Sequence, residues 1–321
     1  MKFILILALM SFCSGCLNSW LFSGSYDQRV VVVQTLGLFN QRVGPLLEGE
    51  SWSDDWVFRR ERLTLVDQAL RTDRPDIFVV QGVMQKGGSP YESDMNILKA
   101  GALSGYDSFT TGMVTYDDTL EEEGLSVAVS LPLQINRDAM SKIEHDWKIS
   151  NDAFMALTLV ESEGQVISVF NVEFPSDPNS IRNWLMIVTK KINAYFDQTK
   201  NCRDRLVIAG QIPLVNKSRP VWRDFLTALD LQEVVPDRCE LSSECFTKTN
   251  QNSLYKIMEN QNEMGRVDRV LVSANSHVVD SYRAFDRPSK ASEYASKYGL
   301  DAMYPGLKFG WLNRIRFHRC E

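Results

Sequence analysis

A chain of 321 residues with 44% hydrophobic positions can fill a substantial core, as one large α/β domain or two ordinary ones, which excludes a largely disordered protein. The formal net charge of -6 and a pI near 5.3 give an average surface that repels phosphate backbones, which weighs against nucleic acid as a partner. Lys308, Arg314, Arg316 and Arg319 form a local basic cluster near the C-terminus, read as a solvated strand end with scattered charge.

The chain opens with Lys2, an apolar run from Phe3 to Met10, and Ser14-Gly15 before Cys16. A run this short cannot span a bilayer, which takes about 20 residues, so residues 1–15 are predicted to be a cleavable signal peptide. The segment resembles the export signal of bacterial lipoproteins, in which a small residue precedes the cysteine that is acylated. That resemblance implies lipid attachment at Cys16, with cleavage lacking an anchor as the alternative. Cys13 stands where the pattern usually has an aliphatic residue, and Leu17 stands where an Asp often retains such proteins in the inner membrane. The implied location is therefore the bacterial cell envelope, at the outer membrane and facing the periplasm. Residues 16–27 lack periodicity and read as a tether, and residues 28–321 as one domain.

Val30 to Val33, continuing as QTLGLFN, predict a strand buried on both faces. Between Asp54 and Leu70 the apolar residues Trp56, Leu63, Val66 and Leu70 recur at helical spacing, with Asp54 or Asp55 as N-cap, and Pro75 ends the segment. DIFVVQ (76–81) is a second buried strand. A Gly-rich turn and a helix from Asp94 to Ala102 follow, then a third strand within EEEGLSVAVSLPL (121–133), limited by Pro132. FMALTLV (154–160) and QVISVFNVEF (165–174) form a hairpin turning at Gly164. Ile181, Leu185, Val188, Ile192 and Phe196 share one face of a helix over 180–198. RLVIAG (205–210) is a strand, VWRDFLTAL (221–229) a helix, RVDRVLVS (266–273) a strand, and LKFGWLNRIRF (307–317) closes a sheet. Strands and helices interleave with hairpins between some strands, which predicts mixed sheets covered by helices.

With Cys16 acylated, Cys202, Cys239, Cys245 and Cys320 remain, an even number that predicts two disulfides in an oxidising compartment. Three connectivities stay open; one of them closes a short loop between Cys239 and Cys245 and leaves Cys202 with Cys320 as a clamp on the last strand. His145, His277 and His318 stand far apart and no CxxC or HExxH occurs, so no zinc site is predicted.

The order and wording of the strands resemble the endonuclease/exonuclease/phosphatase superfamily, whose members include DNase I-like nucleases. VVVQTLGLFN stands for its opening TWN strand, RPDIFVVQGV for PDI-hydrophobic-LQE, GLSVAVSLPL for the Gly-to-Ser-Pro strand, VISVFNVEF for the strand ending NTH, RLVIAGQIP for GDFN, and VDRVLVS for the late Asp strand. The resemblance covers nearly everything from Arg29 onward. It implies a four-layered α/β sandwich, two mixed β-sheets packed face to face with helices outside.

It also implies a chemistry that this chain lacks. Members hold a divalent metal, usually Mg²⁺, on carboxylate and amide oxygens that suit a hard cation, and a His activates water. Here Gly37 replaces the first-strand Asn, Gly82 the LQE Glu, Glu173 the NTH position of His, Gln211 and Pro213 the GDFN Asp and Asn, and Pro305-Gly306 the final Asp-His. Asn171 and Asp268 survive, each with a structural reading of at least equal weight: backbone groups at a strand end for Asn171, an Arg partner for Asp268. No catalytic residue, metal ligand or cofactor is expected. The residual candidates are Asn171, Glu173 and Asp268, and with Gln211 and Tyr304 they form the face offered to an unknown protein or small-molecule partner. The alternative keeps Mg²⁺ and phosphodiester hydrolysis on a rearranged site of Glu173 and Asp268 with Asn40 or Glu123. Membrane contact is expected through the lipid.

Overall fold

The structure, a computed structural model, describes residues 26–27, 29–38, 59–85, 93–115, 122–142, 144, 146–149, 152–161, 164–174, 178–213, 219–234, 268–291, 293, 296, 302–305 and 309–320. The proposed signal and anchor at Cys16, the N-caps Asp54 and Asp55, and Asn40, Cys239 and Cys245 lie outside the described residues, as does the Glu123 side chain.

Two mixed sheets form. The first runs β12 (His277–Ala284), β15 (Gly310–Arg316), β1 (Val31–Gly37), β2 (Ile77–Gln85), β4 (Glu122–Val129) and β3 (Asp107–Thr115). The second runs β10 (Leu231–Glu233), β11 (Asp268–Ser273), β9 (Leu206–Gln211), β8 (Val166–Glu173), β7 (Asp152–Val160) and β5 (Gln134–Ile135), with β6 (Asp146–Ile149) also on β7. β13 (Ser289–Lys290) and β14 (Ala302–Met303) pair separately. Side chains alternate along a strand, so each sheet feeds two cores. Val33, Ile77, Val79, Val127, Val169, Ala209 and Val270 meet between the sheets. Leu36, Phe78 and Val80 face outward onto α1 (Arg59–Asp73) and α2 (Asp94–Lys99). Phe170, Val172 and Ile208 face α4 (Pro178–Thr199) and α5 (Arg219–Ala228). A one-turn helix α3 (Arg137–Met140) lies beside β7. The four-layered sandwich follows from sheets apolar on both faces, since each face needs a partner layer.

Helix ends obey local chemistry. α1 buries Leu63, Val66 and Leu70 at helical spacing and stops at Arg74, whose φ of 46° leads into Pro75. α2 is shorter than expected: Ser93 caps it by accepting from the Asn96 N–H at 3.1 Å, and it gives way to turns after Lys99. β3 and β12, which sequence periodicity does not reveal, are the edge strands of the first sheet.

The strands that run in parallel define two poles. At the pole where β8 and β9 begin, the lead into β1 is clasped. The Asp27 N–H donates to Phe317 O at 2.9 Å, and Tyr26 bridges His318. The fully buried Arg205 guanidinium pairs with Asp27, pairs with Glu161 at 2.8 Å, and lies 5.4 Å from the Phe317 ring centroid. Arg29 joins Glu161 at 3.2 Å to Asp76 at 2.6 Å, tying the two sheets together. A Cys202–Cys320 disulfide locks the strand ends there, one of the pairings left open by the sequence.

Candidate functional site

At the opposite pole β1, β2, β8 and β9 end, and the mouth between the sheets is the place where the ends of their inner faces meet. Glu173, Gln211 and Asp268 are lateral neighbours across β8, β9 and β11, so their side chains share one face. That face is the inner one, because Ala209 and Val270, two positions away, belong to the core between the sheets. Gly37 and Gln81 are neighbours on β1 and β2 across the gap. A Cβ on Gly37 would run into the Gln211 amide nitrogen and come 3.5 Å from Asp268 Oδ1. The Gln211 amide thus fills the space that a side chain at position 37 would need, and a longer residue there has no room unless Gln211 moves.

Asn171 sits deeper, fully buried, and bridges the sheets. Its Oδ1 accepts from Gln81 Nε2 at 2.7 Å, and its Nδ2 donates to Val80 O and Ser126 O at 2.9 Å each. The reason lies in β2: its ladder with β4 shifts register between Val80 and Val83, and Gly82 takes a φ of 67° in that bulge. The carbonyls at the bulge are served by Asn171. Gly82, which stands for the LQE Glu, therefore occupies a left-handed conformation that a glutamate would adopt only under strain.

Gly210 stands where no side chain fits. Its φ is 146°, and an added Cβ would strike the Val172 carbonyl oxygen, with Val172 C at 2.9 Å. Gly210→Ala should destabilise the fold by more than about 2 kcal/mol, read from the denaturant midpoint, since backbone cannot step aside as a flexible side chain can.

Glu173 is half-buried at the end of β8, and Asp268 is fully buried. Arg269, the neighbouring cation in sequence, points to the other face. There it pairs with Glu233, donates to Ile212 O at 3.0 Å and lies 5.7 Å from the Trp222 ring centroid. Tyr304 packs on Phe309, centroids 5.4 Å apart, and burial pushes its phenol pKa up. The structure thus brings Glu173, Gln211 and Asp268 together, holds Asn171 beneath them, and adds Gln81, which sequence reasoning passed over although it stands in the LQE element. Of the basic cluster, Arg314 pairs with Asp280 at 2.9 Å and Arg319 lies 3.7 Å from Asp27, both toward the pole where β1 begins and away from this site, while Lys308 lies outside the described residues. Among the described residues, no group of three or more His, Cys, Asp and Glu side chains is placed to hold a metal ion.

No protein-family model matches the chain, and no curated protein does. Solved structures do. A truncated Caenorhabditis elegans TDP2 aligns over 90% of this chain and 98% of its own, with TM-score 0.57 and 11% identity. An endonuclease/exonuclease/phosphatase family protein from Leptotrichia buccalis aligns over 89% and 99%, with TM-score 0.58 and 12% identity. The catalytic domain of human Nocturnin, solved with a bound sulfate anion, aligns over 90% and 94%, with TM-score 0.55 and 12% identity. The chain is a four-layered α/β sandwich. Its fold is the DNase I-like fold of the endonuclease/exonuclease/phosphatase superfamily.

Proposed function

We propose that this protein is a catalytically inactive member of the fold, held at the bacterial envelope by a lipid on Cys16, which uses the mouth between the sheets to bind a protein or small-molecule partner. What supports this reading is the donor set. Gly37, Gly82 and Pro213 carry no side-chain oxygen, and Gln211 fills the gap beside Gly37 with a neutral amide. Asn171 has committed its amide to Gln81, Val80 and Ser126. These residues do not fit the divalent cation that enzymes of this fold carry, which requires several converging oxygens. A positioned general base contributes about 10²- to 10⁴-fold, and Glu173 stands in the position of the water-activating His.

One observation favours a second reading. Glu173 and Asp268 flank Gln211 on a single face, so two carboxylates do border the mouth. A rearranged phosphodiesterase would be built there. Hydrolysis of bis(p-nitrophenyl) phosphate with Mg²⁺ or Mn²⁺ separates the two: the inactive reading predicts turnover at the buffer rate for both the native chain and Asp268→Ala. Turnover abolished by Asp268→Ala would establish the enzyme instead.

A further inference from the structure

The outer face of β1 sets a glutamine into an apolar layer. Gln34 is fully buried between Phe78 of β2 and Leu312 of β15, its lateral neighbours in the sheet, and both belong to the cluster packed on α1. Val32 and Leu36, two positions away on either side, join the same cluster. An amide in such a layer is costly unless both of its ends are paired. Here one end is: Gln34 Nε2 donates to Asp73 Oδ2 at 2.7 Å, while Gln34 Oε1 is buried with no hydrogen-bond partner among the described residues.

Asp73 is poorly placed for a negative charge. It is half-buried, and it is the last residue of α1, where the helix dipole presents its negative end. The groups that face it come from β1, β12, β15 and the segment after β12: Gln34, Tyr282, Arg314, and Asp286 with Arg287. Arg314 already holds Asp280 at 2.9 Å, Asp286 lies 3.3 Å from Arg283, and Arg287 is exposed. On its own helix and just past it, Arg71 pairs with Asp67 at 2.7 Å and the Arg74 guanidinium donates to Arg71 O at 3.2 Å. Burial pushes the Asp73 carboxyl pKa up and Asp286 adds to it, against the Gln34 hydrogen bond and the charges of Arg287 and Arg314. Burial and Asp73 push the Tyr282 phenol up in turn, so it stays neutral.

We propose that Asp73 and Gln34 form an acid-strengthened latch between α1 and β1. On taking a proton from solvent, Asp73 donates it to Gln34 Oε1 and goes on accepting from Gln34 Nε2 through its other oxygen, which closes a paired ring of acid and amide. The buried acceptor is then satisfied, and the helix end no longer carries an opposed charge. The folded carboxyl binds its proton more tightly than the unfolded one. The contribution is therefore complete below the ordinary aspartate value of about 3.9 and fades as pH rises through the higher folded value. The end of α1 is held most firmly in acid.

Asp73→Asn tests the latch, since the isosteric amide offers Gln34 the donor of the protonated acid at every pH. In urea titrations the variant's midpoint should exceed the native one at about pH 7.5, and the gap should close toward about pH 4. A variant weaker than the native chain at neutral pH, with the deficit closing in acid, would assign Asp73 to a charged pair with Arg287 or Arg314 and overturn the latch. A difference independent of pH would overturn it too. Carbon-13 NMR of the Asp73 carboxyl in the native chain reads the same proton directly, whatever becomes of the variant. Its titration midpoint should lie above that of ordinary aspartate, and the Gln34 side-chain amide should shift over the same pH range. A midpoint at or below the ordinary value, or a carboxyl that titrates without moving the Gln34 amide, would contradict the proposal.

Discussion

Replacing Asn171 with alanine should cost the fold about 3–4 kcal/mol. Asn171 is fully buried on β8, in the middle of the second sheet, and its side chain makes three hydrogen bonds to the first. Truncation leaves the Val80 and Ser126 carbonyls and the Gln81 amide facing a dry gap, and each buried polar group deprived of its partner costs about 1–3 kcal/mol. β2 cannot heal the loss by closing its ladder, because the bulge at Gly82 separates the strands there. In denaturant titrations the midpoint should fall with the slope unchanged. Asn171→Asp should be no better, since it sets a second acceptor against two carbonyls. Glu173→Gln, two residues along and half-buried, should shift the midpoint by less than Asn171→Ala does. A loss below about 1 kcal/mol for Asn171→Ala would mean that the join between the sheets does not depend on its hydrogen bonds.

The double change Cys202→Ser and Cys320→Ser should cost about 3 kcal/mol. The cross-link spans 118 residues, and closing a loop of that order removes unfolded-chain entropy worth up to about 4–5 kcal/mol, of which native disulfides usually deliver about 2–4. The same pole is held by Arg205 with Asp27 and Glu161, so the folded state should survive with its secondary structure intact. The loss should therefore be visible in the thermal midpoint and absent from the far-ultraviolet circular dichroism of the native state. A loss within error would show that the ion pairs and the backbone contacts of Tyr26 and Asp27 fix this end without the cross-link.

Much of the fold is legible in the sequence because its central strands are buried on both faces and read as unbroken apolar runs: β1, β2, β8, β9 and β11 are of this kind. β3 and β12 escape notice for the converse reason. They are edge strands, with sequences such as HVVDSYRA whose burial is mixed and whose apolar residues follow no period. The candidate site is less legible. Glu173, Gln211 and Asp268 can be placed by motif, yet the commitment of Asn171 depends on a bulge 90 residues earlier in the chain, which no local pattern announces. Arg205 reads as a charge at the start of a strand; only the fold shows that Asp27 and Glu161 converge on it and permit its burial. The disulfide pairing likewise waits on topology, because Cys202 precedes β9 and Cys320 follows β15 at the same pole.

The proposal that this chain is inactive rests on what stands between Gly37 and Asp268. Calorimetric titration of the purified chain with Mg²⁺ and then Mn²⁺ addresses it most directly, before any substrate is chosen. The inactive reading predicts only heats of dilution, unaltered in Asp268→Ala. A saturable heat with a stoichiometry of one, lost in Asp268→Ala, would contradict it and restore the site as a metal centre.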